Sequence, residues 1–151
     1  MRKTLVFDMD GTIADLYGVE NWLPMLRAED PLPYEIAEPI YNMTWLASIL
    51  KALKFQGWKI AVTTWGAKGA TDSYNKAVAK VKKEWLERYD FPFDDFFFQP
   101  YGESKNIPTE YIKGRKILVD DNEEVRNDWI GETIDATKNI LEILQKLVDK
   151  F

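Results

Sequence analysis

Apolar positions along this chain follow two rhythms. Leu5-Val6-Phe7, Trp58-Lys59-Ile60-Ala61-Val62-Thr63-Thr64 and Lys116-Ile117-Leu118-Val119 are short, nearly unbroken apolar runs. Such runs predict strands covered on both faces in a parallel sheet, not strands with one wet face. Between them, Trp45, Leu46, Ile49, Leu50 and Leu53 recur at helical spacing, predicting a helix over about 42–55 with Gly57 as its stop. Tyr74, Ala77, Val78, Val81, Trp85 and Tyr89 predict a second helix over about 70–89, ended by Phe91-Pro92, and the basic run Lys76 to Lys83 reads as its wet face. Phe96-Phe97-Phe98 reads as a short strand, a short helix should follow Asn122, and Thr133-Ile134-Asp135 reads as a brief edge strand. Ile140, Leu141, Ile143, Leu144, Leu147 and Val148 line one face of a closing helix. Trp45, Trp58, Trp85 and Trp129 are assigned to packing.

Residues 13 to 40 keep neither rhythm. They hold Pro24, Pro31, Pro33 and Pro39 with Tyr17, Trp22 and Tyr34, and they read as an irregular flap with one short helix around Glu20 to Ala28. For the flap aromatics, packing is favoured over ligand contact.

Strands alternating with helices predict an α/β fold, a three-layer arrangement with a central, mainly parallel sheet. The 151 residues, 46% hydrophobic and 14% aromatic, fit one domain over 1–151 that includes the flap. A net charge of −5 argues against extended binding to a nucleic-acid backbone, which draws on Lys and Arg to neutralise phosphates. With no cysteine, disulfides, thiolate catalysis and zinc-thiolate sites are excluded; with no apolar segment of membrane-spanning length, a cytoplasmic protein is expected. There is no histidine either, so acid–base chemistry would fall to Asp, Glu, Lys or Tyr.

The acids sit where such chemistry would need them. The first apolar run ends in Asp8-Met9-Asp10-Gly11-Thr12, and the run at 116–119 ends in Asp120-Asp121. In an open α/β sheet, ligands collect where parallel strands end, so two parallel strands would bring four carboxylates to one crevice. Such acids persist together only if a cation, a proton or nearby lysine and hydroxyl groups compensate them, and an all-oxygen anionic pocket favours Mg2+.

DMDGT at residues 8–12, a Thr after an apolar strand, a lysine in the loop 100–113 and an apolar strand ending in Asp-Asp together resemble the haloacid dehalogenase superfamily of Mg2+-dependent phosphohydrolases. The resemblance implies that Asp8 is a nucleophile that becomes an aspartyl-phosphate, and that Asp10 protonates the departing oxygen and then takes a proton from water. It implies that the metal is held by the side chain of Asp8, the backbone carbonyl of Asp10 and an acid of the last motif, Asp121 or Asp120, with Asp121 slightly preferred. Gly11 would let the chain turn so that backbone N–H groups face phosphate oxygens, and Thr12 would hold that turn. Thr64, or its neighbour Thr63, would donate to the phosphoryl group, and Lys105 would balance its charge. Trp65 departs from the family pattern and offers an aromatic wall to a leaving group. The short distance from Asp10 to Thr64 leaves room for a minimal cap only, and the resemblance implies that minimal-cap members act on larger substrates or close the site by oligomerising, so an accessible site is expected. The expected partner is a small phosphate ester, with association of copies left open, and the opening motif looks most like small nucleotidase-type members. Two other readings use the same residues: a phosphoryl-receiver signalling domain, and a non-catalytic binding protein on this fold.

Overall fold

The structure, a computed structural model, describes residues 1–150. Its centre is a five-stranded parallel sheet of β1 (Lys3–Phe7), β4 (Trp58–Trp65), β5 (Asp95–Gln99), β6 (Arg115–Asp120) and β7 (Glu132–Asp135), in the order β5-β4-β1-β6-β7. The apolar runs form these strands because both faces are covered: Leu5, Val6 and Phe7 are fully buried, as are Ile60, Ala61, Val62, Leu118 and Val119. Leu5 and Phe7 point into a core shared with α3 (Met43–Phe55) and α6 (Ile140–Asp149), through Leu46, Leu50, Leu53, Ile140 and Leu144. Trp85 of α4 (Asp72–Arg88) joins the same core. Val6, Ala61 and Leu118 face the other way, under Trp129 and Val125 of the segment around α5 (Glu123–Asp128).

The chain runs from β1 to β4 and β5 on one side, then crosses to β6 and β7 on the other, so β1 and β6 flank the topological switch point. Their register pairs Phe7 with Val119, which ends both strands at one level and sets Asp8 beside Asp120 and Asp121.

The segment 13–40 is not irregular. Strands β2 (Ala14–Asp15) and β3 (Glu38–Pro39) pair antiparallel and enclose a 3-10 turn at Leu16–Gly18, α1 (Trp22–Arg27) and α2 (Leu32–Ile36). Prolines do not forbid these helices because Pro24 and Pro33 occupy first turns, whose N–H groups need no helical acceptor. The segment is docked on α4: Trp85 Nε1 donates to Ala37 O (2.8 Å), Tyr74 Oη to Asp30 O (3.0 Å) and Arg88 to Glu35 O (3.0 Å).

Two assignments made from the sequence are overturned. Trp45 is 55% exposed, because it lies off the buried stripe Leu46, Ile49, Leu50 and Leu53. The run Lys76 to Lys83 is not uniformly wet, since Lys82 is 1% exposed on the buried stripe of Tyr74, Val78 and Trp85.

Candidate active site

The turn after β1 is closed by its own backbone: the N–H groups of Thr12, Ile13 and Ala14 donate to Met9 O, and that of Gly11 to Ala14 O (2.9 Å). Gly11 adopts φ +83°, and a Cβ there would lie 2.5 Å from Asp121 Oδ2. Only glycine lets the two acidic segments approach this closely. The N–H groups of Gly11 and Thr12 are thus spent on the turn itself. Those of Met9 and Asp10 find no acceptor among the described residues.

Thr12, fully buried, joins the two dyads. Its hydroxyl lies 3.0 Å from Asp8 Oδ2 and 3.1 Å from Asp121 Oδ1, and it accepts from the Asp121 N–H at 3.2 Å. Lys105, 3% exposed, donates to Asp8 Oδ1 (2.7 Å) and Asp120 Oδ2 (2.9 Å). The carboxylates of Asp8, Asp120 and Asp121 each place an oxygen within 4.8 Å of the others. Asp10 turns away from that trio to Lys82 Nζ, at 2.8 Å.

Thr63 and Thr64 are both buried. The Thr64 hydroxyl accepts from Lys82 (2.7 Å), whereas that of Thr63 has no partner among the described residues. Neither lines the cavity above the acids; Trp65 does, fixed by donation from Nε1 to Glu103 O (2.9 Å) and packed against Tyr101. This cavity, about 350 Å³, has Asp8, Asp10, Lys105, Asp120 and Asp121 at its base. Tyr17, Trp22, Tyr34, Trp65 and Tyr101 line its walls.

Charge is incompletely balanced. Among the described residues, Asp8, Asp10, Asp120 and Asp121 face the ammonium groups of Lys82 and Lys105 alone, two positive charges short when all four are ionised. Burial pushes Asp10 above the usual carboxylate range although Lys82 pulls the other way. Burial and then Asp8 raise Asp120 against Lys105. Asp121 has no lysine partner among the described residues, and burial reinforced by Asp8 pushes it up to about 7. Burial works against the Lys105 ammonium, but Asp8 and Asp120 outweigh it and its pKa rises.

An all-oxygen trio with a deficit of two charges and an unpaired acid fits a hard divalent cation, and Asp8, Asp120 and Asp121 could hold one.

No protein-family model matches the chain, and no curated protein matches it. Solved structures do. The D,D-heptose 1,7-bisphosphate phosphatase from B. bronchiseptica, complexed with magnesium and phosphate, aligns over 99% of this chain and 99% of its own, with a TM-score of 0.57 and 11% identity. The enzyme of the same name from Burkholderia thailandensis aligns over 84% of this chain and 72% of its own, with a TM-score of 0.51 and 13% identity. Both neighbours are haloacid dehalogenase-type phosphatases, and theirs is the fold adopted by this chain.

Proposed function

We propose that this protein is a Mg2+-dependent phosphomonoesterase working through a phosphorylated Asp8. The observation that carries this reading is the convergence of Asp8, Asp120 and Asp121 around one point, with Lys105 spanning Asp8 and Asp120. The structural neighbour complexed with magnesium and phosphate supports it.

Asp8 and Asp121, with Asp120 beside them and the Asp10 backbone carbonyl, would hold the ion, which when bound neutralises charge on the phosphoryl oxygens. A carboxylate oxygen of Asp8 attacks phosphorus as the bond to the ester oxygen breaks. Lys105 and the N–H groups of Met9 and Asp10 stabilise the negative charge on the transferring group. Asp10, on the cavity surface, gives its proton to the departing oxygen. It then takes one from the water that attacks the phospho-Asp8 phosphorus, releasing inorganic phosphate and restoring Asp8. Thr64 sits behind Asp10 and acts through Lys82, while Thr12 keeps the two dyads in register.

The aromatic walls suit a planar leaving group, and we read the substrate as a nucleoside monophosphate. The absence of cysteine suits a reducing, cytoplasmic setting. The test is hydrolysis of a panel of phosphate esters with Mg2+, deoxynucleoside monophosphates first, by the native chain and by Asp8→Asn. Turnover lost in the variant and restricted to nucleotides is expected. Turnover that survives in Asp8→Asn refutes the covalent route, and a preference for sugar phosphates refutes the substrate assignment.

A further inference from the structure

Lys82 lies in the middle of α4, 1% exposed, in a run of lysines whose other members are at least partly wet. Burying an ammonium is costly unless every proton finds an acceptor. Here all three do: Asp10 Oδ2 at 2.8 Å, Thr64 Oγ1 at 2.7 Å and Trp65 O at 2.9 Å. An ammonium has three donors, so none is left for a substrate. Two aromatic faces complete the enclosure, with Nζ 4.8 Å from the Tyr34 ring centre and 5.9 Å from that of Phe98. Lys82 therefore ties together three elements that the chain holds far apart: the turn after β1, the end of β4, and the flap through Tyr34.

The consequence falls on Asp10. With Oδ2 held by Lys82, its other oxygen has no partner among the described residues, and Asp10 lines the cavity. We propose that Lys82 is a positioning residue for this reaction centre, clamping Asp10 by one oxygen so that the other faces the leaving group. This rests on the phosphatase reading above. Lys105 is held elsewhere, by Asp8 Oδ1 at 2.7 Å and Asp120 Oδ2 at 2.9 Å, and does not take this place.

The test uses the full chain with Mg2+, p-nitrophenyl phosphate, whose leaving group departs without a proton, and an alkyl phosphate, whose leaving group requires one. Lys82→Met should lower the single-turnover rate of Asp8 phosphorylation by the alkyl ester on the order of 100-fold, the scale of a lost general acid, and that by p-nitrophenyl phosphate only a few-fold, the later hydrolysis step being common to both. A purely structural role would lower both alike, and that result overturns the proposal. Lys82→Met leaves a buried carboxylate unpaired and can unfold the chain, so Asp10→Asn and Asp10→Asn/Lys82→Met complete the cycle, the double variant having no stranded charge. If Lys82 acts through Asp10, the double variant turns over the alkyl ester as slowly as Asp10→Asn alone. A further full 100-fold loss contradicts the proposal. A native chain inactive on every ester instead removes the phosphatase reading itself, an outcome distinct from both.

Discussion

Two lysine-centred clusters stand side by side at the end of the sheet, and they are not equivalent. Lys105 bridges two acids, Asp8 and Asp120, one from each strand end, beside Asp121, which meets no ammonium among the described residues. Lys82 meets one acid, Asp10, together with a hydroxyl and a carbonyl. The first cluster remains short of positive charge and suits an ion and a phosphoryl group. The second is locally balanced and suits a proton in transit. On the proposed mechanism, the different lysine each one meets fits Asp8 and Asp10 to different tasks.

The largest effect should come from the first cluster. Lys105→Met removes the ammonium shared by Asp8 and Asp120, and kcat should fall by about 1000-fold for every ester, whatever its leaving group, the upper range for loss of one charge-stabilising donor. A loss confined to poor leaving groups would erase the contrast between the clusters. Asp10→Asn sharpens it from the other side: the single-turnover rate of Asp8 phosphorylation should drop by about 100-fold for alkyl phosphates and little for p-nitrophenyl phosphate, so that a plot of that rate against leaving-group acidity steepens.

Asp121→Asn comes next, acting on ion affinity: half-saturating Mg2+ should rise about tenfold in activity titrations. The same acid sets a pH dependence. In the metal-free chain Asp121 is pushed up to about 7, so a proton competes with Mg2+ below that value, and half-saturating Mg2+ should rise as pH falls through neutrality and level off above it. The folded state binds this proton more tightly than the unfolded chain does. Metal-free stability should therefore decrease as pH rises from about 4 to about 7, and Mg2+ should reverse the decrease in thermal melts. An unchanged melting temperature across that range would remove Asp121 from the unpaired position. The smallest effect is expected at the cavity wall, where Trp65→Ala should raise KM for a nucleotide by about tenfold, the scale of one lost stacking contact, and leave KM for a small alkyl phosphate unchanged.

The sheet was legible because burial on both faces writes strands as apolar runs, and β1, β4 and β6 fall within a residue or two of expectation. Both acidic dyads were legible for the same reason, since a strand end is where such a run stops. The flap was not. Its elements are two to six residues long and are held by α4 through Trp85, Tyr74 and Arg88, contacts that no local period records. Lys82 was hidden by its neighbours Lys80 and Lys83, which make the segment look uniformly wet. Its signal was present nonetheless: four residues after Val78 and three before Trp85, it stands on the apolar stripe of its helix. The orientation of the Gly11 turn was also out of reach, because the sequence gives the glycine but not which amides close the turn and which stay free.

The central claim is that Asp8 carries the phosphoryl group during turnover. Acid quenching of the chain in steady state with Mg2+ and a labelled nucleoside monophosphate, followed by peptide mapping, reads this directly. One phosphoryl group on the peptide containing Asp8, absent from Asp8→Asn, is the predicted result. An active enzyme that yields no labelled peptide at any quench time, or one labelled elsewhere, contradicts it.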